Sequence, residues 1–349
     1  MESNQTLIIT KFNLNRYKNC FDQNGSPKEK DLIEWQFLKN PVNKQFVDIL
    51  VDESKDKVAA IYAVFPVTFT IDTAIKLGCQ SLDTITDVDY RGQGLFIKLA
   101  KDVYEKAKAE GVSLVYGFPN GNSIHGFEKK LDWKVLDPVP FLIKPLRSDY
   151  FTKRISFLKF LPNINLFLPF KSKLSKKYKL KEEFSFPEAT NSIWDSFVKQ
   201  VKIAVNRDKT YLDWRYLAKP SEDYKIVHCY DDKNNYLGFV VYTVKDKHGG
   251  KIGYIMELIY DLSQPEVGQL LVQYATDKIK QEKADCILTW CFKHAPNYNA
   301  FQSNWFFNLP EKFRPIELHF GVNCFNPELA NIVYNRKNWY ISYSDSDTV

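Results

Sequence analysis

Apolar residues alternate with polar ones, or run together, over 46–52 (FVDILVD), 58–70 (VAAIYAVFPVTFT), 79–88 (CQSLDTITDV) and 113–118 (SLVYGF). Runs of that length and rhythm predict β-strands. Between the last two, Leu95, Phe96, Leu99, Ala100, Val103, Tyr104 and Ala107 recur with a 3.6-residue period. That spacing predicts an amphipathic helix over about 95–110, and Gly111 stands where a helix C-terminus favours glycine. Strands are predicted again near 225–229, 238–244, 252–260 and 285–292. The chain therefore reads as a mixed α/β protein with twisted sheets flanked by helices.

The second set of strands repeats the first. LIEWQFLKNP (32–41) matches YLDWRYLAKP (211–220) in its acid, tryptophan, aromatic and leucine, and in a proline six residues after the tryptophan. Each copy leads into two strands around a charged turn, DESKDK in one and YDDKNNYLG in the other. LVYGF (114–118) then parallels LTWCF (288–292), each after an amphipathic helix. Two matching segments in the same order indicate an internal duplication. The expected division is 1–150, a basic linker 151–183 containing KSKLSKKYKLKEE, and 184–349. Trp35 and Trp214 are expected to be equivalent core anchors.

Composition narrows the class without naming a chemistry. Hydrophobic residues make up 44% and aromatics 15% of 349 residues, enough for folded cores. A formal charge of +6 is mild, gives no reason to expect a nucleic-acid partner, and suits small anionic ligands. The six cysteines show no CxxC pair and the five histidines no HExxH, so no metal site is expected and the thiols read as reduced. The N-terminus lacks the pattern of a signal peptide. The most apolar run, ISFLKFLPNINLFLPF (155–170), is broken by two prolines and Lys159, too short and interrupted to span a bilayer. A cytoplasmic protein is expected; nothing here fixes its oligomeric state.

The most informative stretch is DYRGQGLFIKL (89–99). A strand, a short loop with Arg91, Gly92 and Gly94, then a helix places unpaired amides and the positive end of the helix dipole at one point. Glycines allow a ligand close to the backbone and Arg91 adds charge, which together suit a pyrophosphate. Neither GxxxxGK[ST] nor GxGxxG is present.

YRGQGLF resembles the R/Q-x-x-G-x-G/A acyl-CoA loop of the GCN5-related N-acetyltransferase (GNAT) superfamily, with Arg91, Gly94 and Phe96 at its first, fourth and sixth positions. The following LVYGFPNGNSIHGFEKKLDW resembles the family's next segment. Phe96 departs from the expected small residue, and the tyrosine often found before the family's KLGF-like end is absent, with Phe127 and Glu128 there instead. In the second half the matching QPEVGQLL (264–271) keeps only Gly268 and puts Pro265 where the arginine stood. That half is expected to have lost acyl-CoA binding and to serve substrate binding or architecture.

The resemblance implies two GNAT-like domains, the first with splayed central strands that take the pantetheine arm as an added strand. It implies an acyl-CoA co-substrate, acetyl-CoA or 3-hydroxybutyryl-CoA, with Arg91, Gly92, Gln93, Gly94, Leu95, Phe96 and Asn120 around it. Val88 is expected to supply an amide for the oxyanion. An amine attacks the thioester directly and must be neutral, so a base is needed. Asp83, Asp87, His125 and Glu128 are candidates, and Asp83, Asn120 and His125 are assigned to the catalytic group. The arrangement is similar to bacterial N-acyltransferases of nucleotide-linked amino sugars, which implies a small-molecule amine acceptor such as a dTDP-3-amino-3,6-dideoxyhexose for cell-surface polysaccharide biosynthesis. Arg207 and Tyr211 are the residues assigned to that substrate. A different amine acceptor (a peptide, an aminoacyl acceptor or an antibiotic), transfer of an aminoacyl group from tRNA, and a non-catalytic acyl-CoA sensor are the rival readings.

Overall fold

The structure, a computed structural model, describes residues 4–148, 152, 164–166 and 177–349. The first half gives β1 (Asn4–Leu7), α1 (Leu14–Gln23), α2 (Lys30–Phe37), β2 (Phe46–Asp52), β3 (Lys57–Ile71), β4 (Ala74–Thr86), α3 (Leu95–Ala109), β5 (Leu114–Gly117), α4 (Ile124–Lys130) and β6 (Lys134–Val135). Next come β7 (Phe141–Pro145), β8 (Tyr178–Glu182), α5 (Ala189–Val198), β9 (Ile203–Val205), α6 (Lys209–Leu212), β10 (Lys225–Asp231), β11 (Tyr236–Lys247) and β12 (Gly250–Tyr260). The chain ends through α7 (Pro265–Gln281), β13 (Cys286–Trp290), α8 (Tyr298–Gln302), β14 (Phe307–Asn308), β15 (Gly321–Cys324) and α9 (Ala330–Val333). Every strand expected from the alternation is present, and the helix expected over 95–110 is α3.

Contacts divide the chain into two units. Unit 1 holds residues up to 138 with 218–221 and 318–338; unit 2 holds 139–217, 222–317 and 339–349. The units are thus not consecutive along the chain. Most of the basic linker expected at 151–183, and most of the apolar run 155–170, lie outside the described residues.

In unit 1 the strands follow the order β1-β2-β3-β4-β5-β15-β6. All neighbours are antiparallel except β4 and β5, which pair in parallel only between Gly78–Ser81 and Leu114–Gly117. The β3–β4 register shifts between Ser81 and Asp83, leaving Leu82 as an extra residue. Such a bulge turns the strand. β4 then continues to Thr86 beyond its pairing with β5, so the two parallel strands splay.

α3 covers one sheet face because its apolar stripe, Leu99, Ala100, Val103, Tyr104 and Ala107, meets Ala60, Tyr62 and Val64 of β3 and Cys79 of β4. Phe127 of α4 and Trp133 join the same core. Each large apolar side chain so buried contributes about 1.5–3 kcal/mol. The other face carries α1, whose Tyr17 reaches Asp83 on β4.

Unit 2 repeats the plan in the order β14-β7-β13-β12-β11-β10-β8. Its parallel pair is β12 with β13, joined only over Ile252–Ile255 and Cys286–Thr289, and Met256 is the extra residue of its bulge. Trp35 and Trp214 are both buried. The register opposes Gly78 to Leu114 and Ile252 to Cys286. Leu114 therefore corresponds to Cys286, two residues before the Leu288 that sequence likeness selects.

Candidate functional site

The loop after β4 is built for a backbone-donated grip. Gly92 and Gly94 take φ of +78° and +71°, in the left-handed region that other residues adopt only at a cost. A Cβ at either would meet nothing within 4 Å, so the space before the loop is open. Gly94 caps α3, and Lys98 is the first residue whose amide donates back into it, to Gly94 O at 3.1 Å. The amides of Leu95, Phe96 and Ile97 precede that bond at the positive end of a 15-residue helix with no acidic residue in its first turn. Arg91 and Gln93 are exposed beside them, and Arg91 Nε lies 3.4 Å from Thr86 O. This set fits an anion such as a pyrophosphate.

The loop is bolted in place from behind. Asp87 caps the short turn 88–90 by accepting from Asp89 N at 3.1 Å. It also takes Lys57 Nζ at 2.7 Å and Asn24 Nδ2 at 3.1 Å. Although burial works against its charge, these donors hold its carboxyl below the ordinary aspartate range. Tyr90 donates to Asp52 at 2.7 Å. Asp87 is therefore an anchor of the loop rather than an open base.

Val88 does not occupy the place expected of it. The strand ends at Thr86, Val88 opens a turn of 3-10 helix, and its amide donates to Asn24 Oδ1 at 3.1 Å. An amide so engaged is not the oxyanion donor. Asp87 N donates to Ala59 O, which by antiparallel alternation turns Asp83, Ile85 and Asp87 toward β3. The main chain of Thr84 and Thr86 faces the open side, and these residues form the free edge of the splay.

Asp83 is the residue just after the bulge and is 3% exposed. Its Oδ2 accepts from Tyr17 at 2.7 Å and from Lys28 Nζ at 2.5 Å, and Lys28 also donates to Gln36 at 3.2 Å. This polar group, drawn from α1, the loop before α2, α2 itself and β4, was not visible as a constellation in the sequence. Burial, reinforced by Asp83, pushes the Tyr17 hydroxyl well above its ordinary value and keeps it protonated.

Asn120 lies at the exit of β5 and is exposed. Its Oδ1 accepts from Asn122 N at 3.1 Å and Ser123 N at 3.2 Å, forming the turn into α4. His125 and Glu128 both lie on the exposed face of α4. Phe96 fills the space between α3 and α4: its ring packs on Phe127 and Tyr62 at 5.2 and 5.9 Å between centroids. A Cβ at Gly126 would come within 2.8 Å of that ring, so the small residue expected at 96 is found across the gap instead.

Arg207 and Tyr211 belong to the interior of unit 2, not to a ligand surface. Arg207 is fully buried and binds Glu257 at 3.1 Å, Asp345 at 2.5 Å and Val205 O at 2.7 Å. Tyr211 donates to Ser344 O at 3.1 Å. A guanidinium spent on two buried carboxylates has no role toward a diphosphate.

The second glycine turn is also changed. Its residues 265–268 are the first turn of α7, with Pro265 at the start and Glu266 beside it. The Glu266 carboxylate accepts from Tyr178 at 2.6 Å and Lys177 at 3.4 Å, and these donors hold it below its ordinary range. Gly268 is needed for packing, because a Cβ there would land on the Tyr260 ring. Among the described residues no His, Cys, Asp and Glu cluster has metal-site geometry, and no helix is long and apolar enough to cross a membrane.

Residues 13–136 match the family described as acetyltransferase (GNAT) domain. No curated protein matches the chain by sequence. Among solved structures, N-myristoyltransferase of Saccharomyces cerevisiae with bound myristoyl-CoA superposes on 92% of this chain and 83% of its own, with a TM-score of 0.61 at 12% identity. A probable N-acyltransferase from Enterococcus faecalis V583 superposes on 93% of this chain and 72% of its own, with a TM-score of 0.60 at 11% identity. At such identities the likeness is one of fold, and it extends through both units.

Proposed function

We propose, from the premise that the chain belongs to the GNAT superfamily of acyl-CoA-dependent N-acyltransferases, that unit 1 alone binds the acyl donor and transfers its acyl group to the amine of a polar small molecule. The observation that carries this reading is the open amide cradle at Gly94–Ile97 beside the unpaired edge of β4. Arg91, Gly92, Gln93, Gly94, Leu95 and Phe96 meet the diphosphate, and the edge at Thr84 and Thr86 receives the pantetheine arm as an added strand. The carboxamide of Asn120, whose oxygen is held by its own turn, turns its NH₂ to that arm.

The acceptor's neutral nitrogen attacks the thioester carbonyl: the C–N bond forms first, charge collects on the carbonyl oxygen, and the C–S bond then breaks. The coenzyme leaves as thiolate, and the nitrogen loses a proton to a base or to water. Holding nitrogen and thioester in line supplies much of the rate. Asp83, engaged by Tyr17 and Lys28, shapes the acceptor side of β4 with Gln36. That donor-and-acceptor mixture suits a hydroxylated amine.

The donor is a short acyl-CoA, acetyl-CoA or 3-hydroxybutyryl-CoA, and the acceptor a nucleotide-linked amino sugar of the dTDP-3-amino-3,6-dideoxyhexose type, in a cytoplasmic step of polysaccharide assembly. Titration calorimetry with coenzyme A, then free-thiol release from both donors with a panel of amines, tests this. Turnover of the amino sugar supports the whole reading; turnover of peptide N-termini alone replaces the acceptor. Absence of coenzyme A binding overturns the reading.

A further inference from the structure

We propose that Ser81 is a catalytic residue whose hydroxyl donates a hydrogen bond to the carbonyl oxygen of the bound thioester, aimed by Tyr62, Tyr104 and Trp133 as positioning residues. The proposal rests on the acyltransferase reading and assigns a group within its donor site.

The direction of the hydrogen bonds follows from chemistry. The Trp133 indole can only donate, and its Nε1 lies 2.9 Å from the Tyr104 hydroxyl. Tyr104 has one proton and lies 2.6 Å from the Tyr62 hydroxyl, so it donates there. Tyr62 in turn has one proton and lies 3.0 Å from Ser81 Oγ, so it donates to the serine. Reversing any link would leave a buried phenol proton with no acceptor among the described residues, which costs about 1–3 kcal/mol. Among the described residues the Ser81 proton is then the one with no acceptor, and each link polarises the next.

Its position gives that proton a use. Ser81 is the last β4 residue paired with β5, at the apex from which the strands splay. Its partner is Gly117, where a Cβ would come within 2.8 Å of Ser81 O and 3.5 Å of Ser81 Cβ. Only glycine fits there, because the Trp133 ring also stands 3.4 Å from that Cβ position. Ser81 also points to the face of the sheet that carries α3, because it bonds Tyr62 of that core. That is the side of the amide cradle.

Unit 2 has the same apex without these groups. Register places Ile255 at the position of Ser81, Val240 at that of Tyr62 and Thr289 at that of Gly117. Thr289 Oγ1 donates to Ile255 O at 3.0 Å, a side-chain contact that Gly117 cannot make. The hydroxyl chain and the glycine at the apex are present together in unit 1 and absent together in unit 2.

The chain ends on an indole and so delivers a hydrogen bond, not a proton. As the C–N bond forms, charge collects on the carbonyl oxygen, and Ser81 stabilises it while keeping its own proton. When the C–S bond breaks the oxygen returns to a carbonyl and the sulfur leaves as thiolate. Loss of one such donor lowers turnover on the order of 10²-fold.

The test needs no acceptor. Affinities are measured for S-ethyl-CoA, which lacks the carbonyl, and for the ketone analogue of acetyl-CoA with a methylene in place of sulfur. The wild-type protein is expected to prefer the ketone about 10-fold. Ser81→Ala should abolish that preference with S-ethyl-CoA affinity unchanged, which also shows the site still folded. Tyr62→Phe keeps the serine but removes its donor, and should move the infrared carbonyl stretch of bound acetyl-CoA part of the way toward its free value. An undiminished ketone preference in Ser81→Ala overturns the proposal alone. Failure of the wild-type protein to bind either compound overturns the acyltransferase reading instead.

Discussion

The two splayed strand pairs are the same construction put to opposite ends. In both, a parallel pair parts after four residues, at a bulge, and the residue after the bulge is a carboxylate. Asp83 and Glu257 are those residues. Aligning the tryptophan segments sets Lys28 opposite Arg207, and each cation binds the carboxylate of its own unit. In unit 1 the Lys28 side chain is 14% exposed and the strand edge beyond is open. In unit 2 both partners are fully buried, and Tyr340 and Ser342 also donate to Glu257, at 2.5 and 2.9 Å. Asn297 Nδ2 and Tyr340 reach Leu258 O, on the strand past the bulge, at 2.9 and 3.4 Å. The ion pair is thus inherited architecture, and what separates a candidate active site from a sealed one is whether the protein's own side chains occupy the gap.

The largest difference should appear when the cation is removed. Arg207→Met leaves Glu257 and Asp345 buried without their partner and should cost about 3–5 kcal/mol in urea unfolding. Lys28→Met leaves Asp83 with Tyr17 and should cost about 1–3 kcal/mol. Equal losses would break the distinction between a sealed and an open pair.

Next in size is the cradle. Gly94→Asp puts a carboxylate and a disfavoured backbone where the diphosphate belongs, and coenzyme A affinity should fall about 100-fold or more in calorimetry. The circular dichroism spectrum should be unchanged. Retained affinity would remove the cradle from the site.

Acid should then open unit 2. Burial holds the His228 imidazole down at about 4 against an ordinary value of 6.5, despite Glu183 and Ser185 nearby. The unfolded chain takes up the proton first, so this group's contribution is complete above pH 6.5 and is lost as pH falls from 6.5 toward 4. Its size is about 3 kcal/mol. Stability curves against pH for the wild-type protein and His228→Phe should diverge across that window. Parallel curves would mean that His228 does not carry the difference.

The smallest effect sharpens the comparison by what it leaves alone. Gly268→Ala crowds the Tyr260 ring and should cost about 1–2 kcal/mol, while coenzyme A affinity stays at the wild-type value. A loss of affinity with retained stability would reinstate the second turn as a ligand site.

Much of this was legible in the chain because strands and α3 bury one face each, and a buried face writes its period into the sequence. The glycine loop was legible for a different reason: two left-handed residues, Gly92 and Gly94, within three positions leave few alternatives to glycine. Val88 was misplaced because a β-branched residue continuing an alternating run reads as strand, whereas the Asp87 cap and Asn24 end the strand at Thr86. Arg207 was misassigned because charge alone does not tell an exposed guanidinium from one neutralised by Glu257 and Asp345, residues 50 and 138 positions away. The Ser81 chain was invisible for the same reason. Its members lie on β3, β4, α3 and the loop after α4, and only the sheet register brings them together.

The exchange of segments between the units has a consequence in time as well as in space. β15, which lies between β5 and β6 in the sheet of unit 1, is made roughly 200 residues after β5. At ribosomal rates of about 5–20 residues per second, the amide cradle is synthesised on the order of 10–40 s before its sheet can close. Until then β5 lacks its neighbour on that side, and an unpaired strand edge is a template for pairing with another chain. A stop codon anywhere before residue 321 leaves that edge permanently uncovered, so a shortened gene yields an unfinished sheet rather than a minimal enzyme.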